Sequence, residues 1–287
     1  MGATGPAPTI RGFDMATLEY GRFKLDGGAM FGVVPRPLWA RTNPPDDRNR
    51  IELAMRGLLV RGAGFVALVD CGSGGKMPAK LAEIYDLRPA PGGVEALLAP
   101  FGLAPADVTH VLLTHLHFDH AGASTTVRDG RVVPTFPNAR YVVQRSHLAW
   151  ARDPTPRDRA SFFADDFEPL AAAGQLVPVD GAACIVPGVE VFPAAGHTPG
   201  HQGVRVTDGQ SSVLHLGDLV PTSSHLPVPF VMGYDLEPLV SVSEKERLLG
   251  EVADRGDVLV FEHDPDVAAA RIRRGPRAFE LRETVEF

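Results

Sequence analysis

The sequence predicts an α/β (α+β) domain with a pair of β-sheets at its centre and helices outside them. Three observations lead there. Strand-like apolar runs fill both halves of the 287-residue chain, helical periodicity appears between them, and no linker separates two independent cores. No internal repeat of roughly 20 to 50 residues and no low-complexity tract points to a solenoid or a disordered array.

Residues 1–9 are small and Pro-rich without periodicity, so a flexible terminus is expected, with 10–287 forming one domain. Gly-bounded apolar runs at 15–25, 58–61 and 64–69 read as strands of one sheet, the last ending in Asp70-Cys71-Gly72. A helical pattern at 94–101 precedes a buried strand at 108–113, which runs directly into Thr114-His115-Leu116-His117. A strand at 140–143 is followed by helical patterns at 146–151 and 159–173. The second half repeats one theme, in which a strand delivers a polar group at its end. Val189 to Phe192 leads to Gly196-His197, Ser212 to Leu216 leads to Gly217-Asp218, and Val258 to Phe261 leads to Glu262-His263 after a helix at 243–254. Pro134 to Pro137 and Pro221 to Pro229 read as loops.

Composition narrows the function classes. The chain is 44% hydrophobic and 22% charged with a net charge of -7, an acidic balance that repels phosphate backbones and argues against nucleic acid as a partner. The two cysteines, Cys71 and Cys184, are too few for a disulfide framework and read as free thiols. No apolar run reaches the roughly 18 residues of a membrane helix, and Gly, Pro, Asp and Glu interrupt the N-terminal stretch where a signal peptide would lie. A cytoplasmic location with no membrane partner is the expectation, with a homodimer formed through the apolar 28–39 loop as a further one.

The stretch Thr114-His115-Leu116-His117-Phe118-Asp119-His120 packs three imidazoles and a carboxylate behind an apolar strand. Alternate side chains of an extended segment face one way, so His115 and His117 can converge on one cation, and a turn then carries Asp119 and His120 toward a second. Neutral imidazole suits zinc, iron and other first-row ions, and a carboxylate adds the negative charge that lets a second dication sit nearby. A lone histidine is ordinarily a surface or core residue; four candidate ligands in six positions, with three more at later strand ends, are not explained that way.

The ordered series His115-x-His117-x-Asp119-His120, Gly196-His197-Thr198-Pro199-Gly200-His201, His215-Leu216-Gly217-Asp218 and Glu262-His263 resembles the metal motifs of the metallo-β-lactamase superfamily, and Val69-Asp70-Cys71-Gly72 resembles its first motif. The resemblance implies an αββα sandwich, two packed mixed sheets flanked by helices, with two divalent metal ions, zinc first among them and iron, manganese or cobalt as alternatives, at one sheet edge. By position, His115, His117 and His197 would hold one ion, Asp119, His120 and His263 the other, and Asp218 would bridge them. A water shared by two such ions, about 3.5 Å apart, becomes hydroxide near neutral pH and serves as nucleophile. Asp70 fits a role in accepting a hydrogen bond that fixes the histidine loop, or simply ends a strand; Thr114 is read the same way. His201 and His215 read as packing or supporting residues, and Phe118 as wall.

Residues 25–35 with Leu38-Trp39, Phe136-Pro137-Asn138-Ala139 and Asp218-Leu219-Val220-Pro221-Thr222 resemble quorum-quenching N-acyl-homoserine lactonases of the YtnP-like branch. That resemblance implies hydrolysis of a lactone ring, with Asp119 and Asp218 as the catalytic carboxylates and Asp119 shuttling the proton. Met30, Phe31, Trp39 and Phe230 are candidate walls of an acyl channel, with an ordinary core as the competing reading. Many lactonases carry a tyrosine three residues after the bridging aspartate, where this chain has Pro221, and Tyr234 or His225 is the candidate substitute. Similarity to methyl parathion hydrolases from Phe162-Phe163 through His201 makes a phosphotriesterase or arylesterase the alternative. Glyoxalase II is disfavoured, since about 24 residues follow His263 and its extra helical domain has no room. The reading from another class is a binding protein that keeps its metals without turnover, and an intact ligand set argues against it.

Overall fold

The computed structural model describes residues 4–6 and 9–287. Two sheets form the centre. The first has seven strands, in spatial order Leu176–Val179, Arg140–Gln144, His110–Leu112, Phe65–Val69, Arg50–Gly62, Asp14–Asp26 and Arg88–Pro89. The second has eight, in the order Thr4–Pro6, Phe279–Glu286, Ala269–Arg274, Val258–Val260, Ser212–His215, Gln202–Thr207, Val189–Pro193 and Ala183–Val186. Both sheets are mixed: His110–Leu112 runs parallel to both its neighbours, whereas Asp14–Asp26 and Arg50–Gly62 pair antiparallel over their length.

Period-two alternation builds the layers. Leu58 and Val60 point between the sheets and meet Val189, Val191, Val204, Val206, Val213, Val258 and Val260 in one cluster. Their neighbour Leu59, with Leu68, Val111 and Val143, points the other way into a second cluster under the N-terminal loops and helices. On the far side, Leu214 and Leu259 meet Leu248, Leu249 and Val252 of the Pro238–Arg255 helix in a third. Each of those buried side chains contributes about 2 kcal/mol of apolar burial. Helix, sheet, sheet and helix layers follow, the sandwich expected from the sequence.

Within the segment 1–9, Thr4–Pro6 adds a parallel edge strand to Phe279–Glu286, whose outer hydrogen-bonding groups it satisfies. Residues 1–3, 7 and 8 lie outside the described residues. The helix expected at 159–173 is broken into 3₁₀ turns at Arg159–Ser161 and Ala164–Asp166 and a short helix at Glu168–Ala172. Phe162 and Phe163 are extended there, with their rings edge-on to His117 and Phe118 at centroid distances of 4.7 and 6.3 Å. Tertiary packing overrides a marginal helical pattern, and Pro169 starts a new helix instead. No helix among the described residues is long and apolar enough to cross a membrane.

Candidate metal centre

Asp70 organises the histidine loop. It ends the Phe65–Val69 strand in a left-handed conformation, φ 51°, which Asp tolerates better than most residues. Its carboxylate accepts from the Thr114 backbone N–H and hydroxyl, both at 2.7 Å, and from His120 Nδ1 at 3.0 Å. Thr114 is therefore clamped at the end of His110–Leu112, and His115 and His117 leave it already directed. A single helical turn, Phe118–Ala121, then presents Asp119 and His120.

The remaining groups arrive from the second sheet. Gly196 adopts φ 123°, and a Cβ there would collide with Ser241, so only glycine lets the chain turn His197 inward. Gly217, φ 50°, does the same before Asp218, where a side chain would meet His201 and Thr114. His263 follows the Val258–Val260 strand and is anchored by its backbone N–H to Pro221 O.

These elements gather two groups whose possible ligand atoms lie within 4.8 Å of one another: His115, His117, His197 and Asp218; and Asp119, His120 and His263. All seven are buried. Asp218 faces both groups. Its Oδ2 is 3.2 Å from His197 Nε2, while its Oδ1 is 3.0 Å from His263 Nε2 and 3.4 Å from His120 Nε2. The outward ring nitrogens are occupied: His197 Nδ1 by Asp235 at 2.9 Å, His263 Nδ1 by Ala54 O at 2.7 Å and His120 Nδ1 by Asp70. The inward nitrogens consequently carry lone pairs.

Those lone pairs point at each other. His120 Nε2 and His263 Nε2 are 3.2 Å apart, as are His197 Nε2 and His117 Nδ1, while buried His115 Nε2 and Asp218 Oδ1 have no hydrogen-bond partner. Converging lone pairs of this kind are repulsive unless a cation sits among them, so the donor set fits divalent metal ions with imidazole and carboxylate preference. Burial opposes charging of His120, yet the negative field of Glu262, Asp218 and Asp119 raises it well above the ordinary histidine range, and the same field would favour a cation among these groups. Burial and the neighbouring imidazoles hold His115 and His117 well below that range, and burial is outweighed at Asp218 by His120, His263 and His197, which keep its carboxylate ionised.

Of the other residues singled out from sequence, Tyr234 lines the cavity over the centre, together with Leu25, Tyr85, His117, Phe118, Asp119, Arg157, His197 and Asp218; its volume is about 370 Å³. Met30, Phe31, Trp39 and His225 do not reach it. Phe31 stacks between Trp39 and His225 at centroid distances of 5.5 and 4.5 Å, and His225 Nε2–H donates to Met30 O, so these four form core beneath the loop. Phe230 packs edge-on against Phe31. Core was the favoured reading of the apolar residues from sequence, and none of them lines the cavity over the centre. His201 and His215 are buried behind the centre, their rings depressed to about 3 and about 4, chiefly by burial.

Sequence reasoning missed four groups. Asp235 orients His197, and His147 ties two motifs together by accepting from Leu116 N and bonding Pro199 O, each at 2.8 Å. Arg157 donates to Gly233 O at the cavity mouth, and Glu262 lies 2.9 Å from His120 Nδ1. Only Glu262 had a signal, its place beside His263.

A profile of the metallo-beta-lactamase superfamily matches residues 57–263. A probable metallo-hydrolase of Mycobacterium tuberculosis is 29% identical over 245 residues, 76% of each chain. The N-acyl homoserine lactonase AttM of Azorhizobium caulinodans is 29% identical over 183 residues, 61% of this chain and 65% of that protein. The crystal structure of a probable metal-dependent hydrolase from Staphylococcus aureus superposes with a TM-score of 0.88 at 30% identity, covering 96% of this chain and 99% of that one.

Proposed function

The chain belongs to the metallo-beta-lactamase superfamily as a metal-dependent hydrolase, and we propose that it opens the lactone ring of N-acyl-homoserine lactones, as its relative AttM is named for doing. The observation that carries this reading is a cavity of about 370 Å³ in which His117, Asp119, His197 and Asp218 meet the apolar walls Leu25 and Phe118 and the phenols Tyr85 and Tyr234. Pockets of that size suit a small ester with an apolar tail.

In this reading His115, His117 and His197 would hold one divalent ion and Asp119, His120 and His263 a second, with Asp218, whose two oxygens face both groups, available to either. Zinc is the proposed metal. Bound there, two such ions supply Lewis acidity and an activated water. The chain's own groups do the rest. Asp235, Ala54 O and Asp70 fix the tautomers of His197, His263 and His120, so that each presents its Nε2 inward. Asp119, on the cavity lining, carries a proton toward the departing alkoxide oxygen. Tyr234 donates its phenolic O–H to the ring carbonyl, standing in for the tyrosine whose position is Pro221 here. A phenol stays protonated, and so a donor, throughout the neutral range.

The test is hydrolysis of short- and long-chain N-acyl-homoserine lactones beside paraoxon and methyl parathion, before and after chelation. Lactone turnover that is faster and lost on chelation is expected, with Tyr234→Phe lowering it about 10- to 100-fold. Faster phosphotriester turnover would move the assignment to a phosphotriesterase. A metal-loaded chain inert on all four would refute both.

A further inference from the structure

Behind the centre, on the side away from the cavity, lies a second cluster of buried polar groups: Asp70, His215 and Glu262. Asp70 has its partners and also faces the Glu262 carboxyl. Both Glu262 oxygens are buried without a well-directed hydrogen bond. Oε1 is 2.9 Å from His120 Nδ1, and Oε2 is 3.5 Å from His215 Nε2, itself a buried nitrogen with no bond. A buried carboxyl group costs several kcal/mol unless it is usefully placed. Its neighbours show the use. Glu262 precedes His263 in the chain and touches His120, and these two residues share one of the two groups of ligand atoms. Among the described residues no carboxyl group backs His115 or His117 in this way, and His115 Nδ1 meets the Thr114 hydroxyl at 3.1 Å.

We propose that Glu262 is a positioning residue for the Asp119–His120–His263 metal pocket, holding the His120 ring from behind jointly with Asp70 and tying it to His215. This rests on the two-ion reading above. The His120 Nδ1–H lies between two carboxyl groups, so the ring cannot rotate its Nε2 out of the pocket without leaving both. Removing Glu262 leaves Asp70 as the one carboxylate on His120 Nδ1, beside the more distant Thr114 hydroxyl, and opens space beside the ring. The effect is selective because Glu262 lies against His120 and His215, whereas His197 is held by Asp235.

The experiment is stepwise reloading of the metal-free chain with Zn²⁺ against a competing chelator, and with Co²⁺ followed by visible absorption, for wild type, Glu262→Met and Glu262→Gln. Met keeps the volume without an acceptor; Gln keeps the shape, one acceptor and one donor. Expected are two ions in wild type, an unchanged tighter site in Glu262→Met with the other weakened about 10- to 100-fold, and recovery to within about threefold in Glu262→Gln. Equal weakening of both sites, no change at either, or a Gln variant as impaired as Met would overturn the proposal. If Glu262→Met yields no folded protein, Glu262→Leu takes its place: selective weakening of about tenfold or more that Glu262→Gln recovers supports the proposal, and retention of both sites in Glu262→Leu contradicts it. Wild type binding fewer than two ions would instead refute the two-ion reading.

Discussion

His225 is buried as a neutral ring, its Nε2–H donating to Met30 O at 2.8 Å, its Nδ1 2.8 Å from the Thr222 hydroxyl and its face stacked on Phe31. Burial, reinforced by the ammonium of Lys245, depresses it from 6.5 to about 3. Because the folded pKa lies below the unfolded one, its stabilising contribution is full above pH 6.5 and is lost as pH falls, since the unfolded chain takes up a proton that the folded chain refuses. Between pH 7 and pH 5 the loss is RT ln[(1 + 10^1.5)/(1 + 10^-2)] less the small value at pH 7, about 2 kcal/mol. That figure is set by the unfolded ring as long as the folded one titrates below about pH 4. The assay is urea denaturation of metal-free wild type and His225→Gln at both pH values, metal-free so that ion release adds nothing. Gln keeps a donor for Met30 O but cannot titrate, so wild type should lose about 2 kcal/mol more than the variant on acidification. An equal loss in both proteins, within about 0.5 kcal/mol, would refute the argument that His225 is a neutral core residue.

Three further outcomes follow from the geometry. Asp218→Ala removes the one carboxylate that faces both groups of ligand atoms, so bound metal should fall to one ion or fewer per chain and turnover by about 100-fold or more, measured by elemental analysis and initial rates; two retained ions would contradict its bridging place. His201→Ala should keep both ions, because His201 donates to Ala194 O and its ring is supporting structure, and loss of an ion on elemental analysis would add it to the ligand set. A thiol reagent should titrate one cysteine per native chain, exposed Cys184, and leave Cys71, which is buried and pushed up to about 12; two fast-reacting thiols would contradict that.

The metal motifs were legible because their spacing is local. His115 to His120 fall in one loop, and each later candidate ends a strand whose apolar run is visible, so the sandwich and its edge could be read together. Asp235 and His147 were not legible: they act on partners 38 and 31 residues away, His197 and Leu116, and nothing in their own surroundings marks them. The two terminal strands, Ala269–Arg274 and Phe279–Glu286, passed unread because charged residues dominate them, although alternate positions such as Ala270 and Ile272 are buried. Phe31 and Trp39 show the limit of composition. An aromatic loop near a site looks alike whether it faces substrate or, as here, stacks under it.

The central claim is that two cations bind between these seven residues, and anomalous diffraction from crystals of the Zn²⁺-loaded protein, recorded on both sides of the zinc edge, tests it directly. Two peaks about 3.5 Å apart are expected, one among His115, His117 and His197 and one among Asp119, His120 and His263, with Asp218 reaching both. A single peak, or zinc held elsewhere while these histidines remain unliganded, would contradict it.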